Sequence, residues 1–231
     1  MYEHLAPYLG GPPNSMLNEL YSVWASGGWG MVITGNVQVS RDHLSLGADM
    51  IIPDPSEEDL KGFKQLKDSM KGLHAENSNP SGNMYSRTEP LVIIQLNHTG
   101  RQSPNGLGGR WPFIQRPLSA SATRVGSSCE PRQRNGSLTF IANTLLFQEA
   151  RAMTEAEIKE TVDSFVRGAR LAHETGFDGI QLHAAHGCEL KLACCIFMSL
   201  LGVQTCWLNL FPERRIFVLI SMLSLWHYCA K

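Results

Sequence analysis

A chain of 231 residues with 43% hydrophobic side chains carries enough apolar mass for one sizeable core. Its 20 Lys and Arg against 21 Asp and Glu leave a formal net charge of -1, a balance that gathers no phosphates and argues against nucleic acid as a partner. The opening Met1-Tyr2-Glu3-His4 has no basic stretch followed by an apolar run, so no secretory leader is expected and a reducing, cytoplasmic location is.

In chain order, Trp29-Gly30-Met31-Val32-Ile33-Thr34 is a short continuous apolar run after a Gly-Gly turn, the pattern of a strand buried on both faces. Ser56 with Glu57, Glu58 and Asp59 predicts a helix start, and Leu60, Phe63, Leu66, Met70 and Leu73 mark one face of that helix. Residues 76 to 89, rich in Asn, Ser, Gly and Pro, read as a surface loop. Leu91-Val92-Ile93-Ile94-Gln95-Leu96 repeats the buried-strand pattern and leads into a Gly/Pro/Ser-rich stretch from Thr99 to about Gly136. Thr154-Glu155-Ala156-Glu157 is a capping box, and Ile158, Val162, Phe165, Ala169 and Ala172 give the helix behind it an apolar stripe. Gly176 is placed to end that helix in a left-handed conformation, and a strand from Gly179 to His183 follows at once.

Buried strands alternating with amphipathic helices predict an α/β fold, either an open doubly wound sheet or a (β/α)8 TIM barrel. A barrel is favoured because each strand ends in polar chemistry: Gly35 and Asn36, then Gln95 with Asn97 and His98, then His183 and His186. In such barrels these side chains converge on one mouth at the C-terminal ends of the strands. No phosphate-cradling Gly-rich motif of the Rossmann or P-loop kind follows any of the strands. His183 and His186 place two imidazoles close together on a turn of small residues, where two N–H donors aimed at one carbonyl oxygen would stabilise charge developing on it. Gln95 is an amide in an otherwise apolar strand, and burial there demands a partner, from neighbouring backbone or from a polar heterocycle.

Residues 188 to 231 differ in composition. Apolar runs take over and five of the six cysteines gather there: Cys188, Cys194, Cys195, Cys206 and Cys229. Neither a membrane span nor a metal site fits this region. Leu192 to Phe211 approaches the length of a membrane span but is interrupted by Ser199, Gln204, Thr205 and Asn209. A metal site from His183, His186, Cys188, Cys194 and Cys195 has the spacing of no closed zinc motif. No metal and no membrane partner are therefore expected.

Five separated segments carry a family resemblance: Trp29 to Asn36, Val92 to Pro104, Arg116 to Ala120, Met153 to Ile158 and Gly176 to Gly187. Together, in this order and spacing, they resemble the old yellow enzyme family of FMN-dependent NADH:flavin oxidoreductases and ene-reductases. The resemblance implies a TIM barrel holding FMN over the strand ends. It implies that Gln95 hydrogen-bonds the flavin pyrimidine ring, with Tyr2 and Asn36 also at flavin-contacting positions. His183 and His186 match the pair that binds a substrate's carbonyl oxygen. The implied reaction takes a hydride from NAD(P)H and delivers it to an activated alkene, an α,β-unsaturated carbonyl compound.

The resemblance covers residues 1 to 187, about the first half of such a barrel, and the expected domain division is 1–187 for the flavin-binding half and 188–231 for a foreign tail outside the fold. Relatives continue the histidine turn with a tyrosine that protonates the α-carbon, where this chain has Cys188. A tyrosine codon split after its first base, followed by an intron opening GTGAGTTG, would read as Cys188-Glu189-Leu190, so the tail is expected to be intron read-through. The rival reading of function is accordingly a truncated, non-catalytic product of an oxidoreductase gene.

Overall fold

The computed structural model describes residues 3–53, 57–72, 89–112, 114–125, 146–183 and 217–221. In chain order the elements are α1 (Ser15–Ala25), β1 (Met31–Gln38), β2 (Met50–Ile51), α2 (Glu57–Met70) and β3 (Leu91–Asn97). A 3-10 turn (Gly100–Gln102), β4 (Leu118–Ser119), β5 (Arg151–Ala152), α3 (Glu155–Thr175), β6 (Gly179–His183) and β7 (Phe217–Ser221) complete them. Five strands form one sheet in the order β2-β1-β3-β6-β7, every pairing parallel. From β1 through β3 and β6 to β7, spatial order follows chain order, with α2 between β1 and β3 and α3 between β3 and β6. The two-residue β2 lies on the opposite side of β1; the four longer strands wind in one direction, as successive strands of a barrel do. Five residues of the compositionally distinct C-terminal region, Phe217–Ser221, thus form the strand beside β6.

The sheet has two unlike faces because neighbouring residues of a strand point to opposite sides. Val92, Ile94 and Leu96 of β3 join Ile180 and Leu182 of β6, Val32 and Val37 of β1, and the helical residues Leu17, Tyr21, Phe63, Leu66, Met70, Phe165, Ala169 and Ala172 in a single apolar cluster. At roughly 1.5–3 kcal/mol for each large side chain buried, this cluster is the main stabilising mass of the fold. The intervening residues, Gln95, Asn97, Gln181 and His183, fall on the other face.

Local signals account for the helices. Thr154 Oγ1 accepts from the Glu157 N–H at 3.3 Å while the Glu157 carboxylate accepts from the Thr154 N–H at 2.9 Å, so the capping box forms as read. Gly176 closes α3 at φ 84°, a left-handed conformation that a side chain would resist. α2 runs over the expected face; Ser56 and Leu73 lie outside the described residues. α1 was not anticipated from the sequence, although Asn14 Oδ1 caps it by accepting from the Leu17 N–H at 3.1 Å and Leu17, Tyr21 and Ala25 bury one stripe.

The first strand corrects the sequence reading. It does not stop at Thr34 but continues to Gln38, so Gly35 and Asn36 lie within it. Its register against β3 shifts between Ile33 and Asn36, and the irregularity absorbs Gly35, which the sequence placed at the strand end. β3 likewise continues through Asn97.

Candidate functional site

The site is built on the polar face. Asn36 of β1 pairs in register with Gln95 of β3, and Gln95 with Gln181 of β6, placing three carboxamides side by side across three strands. One step further along the strands, Gln38 pairs with Asn97, and His183 follows Leu182 at the end of β6.

Gln95 is held at two points. Its backbone N–H donates to Thr34 Oγ1 at 2.8 Å, and Thr34 in turn donates to the Gly35 carbonyl at 2.8 Å, so the β1 irregularity is what secures it. Its side-chain Nε2 donates to Gln181 Oε1 at 2.8 Å. Gln95 Oε1 is buried and meets no hydrogen-bond partner, and the same is true of both amide atoms of Asn36, which is only 6% exposed. Orphaned buried amide groups are uncommon because each forfeits its hydration, so three such atoms on neighbouring strands make this face a candidate site for a polar ligand.

Behind Asn36 a buried chain of polar groups fixes the backbone of β1. The Gly35 N–H donates to the Tyr21 hydroxyl at 2.6 Å, and that hydroxyl donates to Glu3 Oε1 at 2.9 Å. Glu3 lies so close that a Cβ at position 35 would come within 1.7 Å of Glu3 Oε2, so a side chain there would have to push the carboxylate away from Tyr21. Burial pushes the Glu3 carboxyl above its ordinary range and, with the Glu3 charge adding to it, pushes the Tyr21 hydroxyl up as well. A cleft beside Asn36 is lined by Glu3, His4, Leu17, Asp49 and Met50.

At the strand ends the expected convergence on one mouth holds only in part. Asn97 Nδ2 donates to Gln38 Oε1 at 3.2 Å, and Gln38 Nε2 donates onward to Ser45 Oγ at 2.8 Å, so these amides bond to each other and to the next loop. His98 is buried against His43, ring centroids 4.4 Å apart. The Leu118 N–H donates to His43 Nε2 at 2.9 Å, which places the His43 proton on Nδ1, facing Ser40 Oγ at 3.1 Å. Burial lowers both imidazoles, His43 well below its ordinary value and His98 to about 4, so both are neutral at physiological pH. The buried Arg110 guanidinium ties down the loop that follows: it donates to the Ser103, Pro104, Asp42 and Gln115 carbonyls and to Ser103 Oγ, at 2.6 to 3.1 Å. Asn97 and His98 are thus tied into strand-end contacts, while Asn97 Oδ1 and His98 Nδ1, like Gln95 Oε1, are buried without a partner.

Of the residues singled out from the sequence, the structure brings Asn36 and Gln95 into one register and sets His183 half-buried at the end of the adjoining strand. Tyr2 and His186 lie outside the described residues, as do Cys188, Cys194, Cys195 and Leu192 to Phe211. Among the described residues no helix is long and apolar enough to cross a membrane, and no group of three His, Cys, Asp or Glu could hold a metal ion. Gln181 was missed, though its place two residues before His183 puts it on the same strand face. Glu3, Tyr21 and Thr34 were missed because only the folded chain brings them to Gly35 and Gln95.

The chain is 36% identical over 180 residues to the NADH-dependent flavin oxidoreductase iliE of Neonectria sp. (strain DH2), covering 78% of this chain and 21% of that protein. It is 34% identical over 181 residues to the NADH-dependent flavin oxidoreductase iccE of Talaromyces variabilis, covering 76% and 39%. The chain thus spans well under half the length of the curated relatives it matches. The old yellow enzyme homologue from Zymomonas mobilis superposes with a TM-score of 0.57 at 22% identity, over 82% of this chain and 44% of that one, which shows the fold to be that of part of a TIM barrel. The family model for NADH:flavin oxidoreductases and NADH oxidases, FMN enzymes with NAD(P)H as reductant, matches residues 8–191. With that match running from the loop before α1 past the end of β6, through the strands that carry Asn36, Gln95 and His183, the chain belongs to the NADH:flavin oxidoreductase / NADH oxidase family.

Proposed function

We propose that the polar face of this sheet holds the ring system of FMN in an oxidoreductase of old yellow enzyme type, acting on activated alkenes such as α,β-unsaturated carbonyl compounds. The observation that supports it most is the set of buried amide atoms without partners, Asn36 Nδ2 and Oδ1 and Gln95 Oε1, on paired strands. A flavin pyrimidine ring carries alternating carbonyl acceptors and an imide N–H donor, the complement of such amides. FMN, when bound, supplies transfer of a hydride taken from NAD(P)H. Gln95 Oε1 accepts from the ring's imide N–H, Asn36 supplies a further amide, and the apolar cluster behind the sheet keeps water from the strand backs. His183, with His186 as its proposed partner, donates to a substrate carbonyl oxygen and so orients the alkene. Tyr2 is a further proposed flavin contact.

Titrating the chain with FMN and following flavin fluorescence tests this reading. Gln95→Leu should weaken binding about tenfold, the usual consequence of deleting a hydrogen bond to a buried group. His183→Ala should weaken phenol-type ligands by a similar factor while leaving FMN affinity near that of the parent chain. FMN affinity unchanged by Gln95→Leu would overturn the assignment of this face.

A further inference from the structure

We infer that Gln181 is a positioning residue that sets the polarity of the Gln95 amide, so that the site presents an acceptor and selects a ring bearing an N–H. This rests on the flavin reading above and adds a residue to it. A glutamine amide can be turned either way, offering oxygen or NH2 to a ligand, and its neighbours decide which. Here Gln95 Nε2 donates to Gln181 Oε1 at 2.8 Å, which commits the nitrogen to the strand neighbour. Gln95 Oε1 is thereby left buried and without a partner. The backbone cannot compensate by shifting, because the Gln95 N–H is itself held by Thr34 Oγ1 at 2.8 Å. Gln181 pairs in register with Gln95 and is only partly buried, so its own side chain is supported from one strand away. The pair is thus a two-amide relay: Gln181 accepts, Gln95 turns, and the open oxygen faces the ligand.

The role predicts a specific pattern across substitutions. Gln181→Glu leaves an ionised carboxylate that can only accept, so the Gln95 amide stays as it is. Gln181→Leu removes the acceptor and lets Gln95 rotate to offer either atom.

The test measures, by saturation-transfer NMR on the full chain, the affinities of FMN and of FMN methylated on its imide nitrogen, which lacks the N–H. The parent chain should bind the methylated form about tenfold more weakly than FMN, as expected for a lost hydrogen bond to a buried acceptor. Gln181→Glu should keep that preference, and Gln181→Leu should reduce it to within about twofold while the far-ultraviolet circular dichroism matches the parent. An undiminished preference in Gln181→Leu, or loss of it in Gln181→Glu, overturns the role of Gln181. Binding of both flavins with equal affinity by the parent chain overturns it too, while the flavin site itself stands. Binding of neither flavin by the parent chain overturns the flavin reading and this role together.

Discussion

The two faces of the sheet are made from the same strands and spend their residues in opposite ways. Along β3, Val92, Ile94 and Leu96 are completely buried under helices, while Gln95 between them keeps a buried oxygen that nothing in the protein satisfies. On β6, Ile180 and Leu182 join the same cluster while Gln181 turns to Gln95. The helix face minimises free energy and the polar face does not. Polar atoms left unpaired in a buried position cost roughly 1–3 kcal/mol each, and on this face the proposed flavin would complete them. The contrast separates what holds the fold together from the face proposed to bind.

The largest effect should come from the helix face. Leu96→Ala, a fully buried side chain packed within the apolar cluster, should destabilise the chain by about 2–5 kcal/mol, read as a lowered midpoint in urea. A loss well below that range would mean that the helices are not seated on the sheet as described. Gln181 and the site should be lost along with the fold in this variant, which makes it the control for every substitution on the polar face.

Acid should break the polar end of the sheet next. His43 and His98 are neutral in the fold because burial depresses both, His98 to about 4 from an ordinary value of 6.5. Above 6.5 neither the folded nor the unfolded chain binds these protons, so stability is unaffected by them. As pH falls below 6.5 the unfolded chain takes up protons that the folded chain refuses, and stability is lost progressively down to the folded value. The slope should approach about 1.4 kcal/mol per pH unit for each histidine that titrates only when unfolded. Urea midpoints measured from pH 7 to pH 4 check this, and His98→Gln should flatten the dependence. A chain equally stable at both ends of that window would show these rings to be exposed.

The sharpest test of the comparison has the opposite sign. Asn36→Leu removes two buried amide atoms that bond to nothing and replaces them with a side chain of similar volume. It should leave stability unchanged or raise it by about 1–3 kcal/mol, since an unsatisfied polar group disappears without a hydrogen bond being lost. Flavin affinity should fall in the same protein. A large loss of stability would show that Asn36 has structural partners, and the face would then be ordinary interior.

The legible parts of this molecule are those encoded in neighbouring residues. Thr154 and Glu157 announce a capping box, Gly176 a helix end, and the apolar runs around Ile93 and Ile180 buried strands. Gln95 was visible because a lone amide in such a run has to be explained. What could not be read depends on contacts between distant segments. Gly35 reads as the end of the first strand until the Glu3 carboxyl is found against it, and the irregularity that carries β1 on to Gln38 sits where Thr34 meets Gln95, 61 residues away. The His43–His98 stack and the Gln38–Asn97 bond likewise join segments more than fifty residues apart. α1 is the exception, since Asn14 followed by Leu17, Tyr21 and Ala25 is a local pattern that could have been read.

The smallest effect concerns the outer rim, far from either face. Glu157 is paired with Arg151 and also accepts from the Thr154 N–H, and these bonds hold its carboxyl down to about 2, the Arg151 contact contributing most. The sign is that of a depressed acid: the stabilisation is present above the ordinary carboxylate value and is lost as pH falls through about 2. Its size is another matter, because both side chains lie in solvent, where the gain on pairing is screened and offset by the entropy of holding two long chains still. Arg151→Ala should therefore change stability by less than about 1 kcal/mol despite the large displacement of its partner's titration. Thr154→Ala removes the helix cap itself and should cost about 1 kcal/mol, more than the ion pair beside it. Measured together in urea, the two variants rank a helix-capping hydrogen bond against an ion pair at the same place. An Arg151→Ala loss larger than that of Thr154→Ala would mean that the pair is shielded from solvent, and that the rim contributes to the fold as the helix face does.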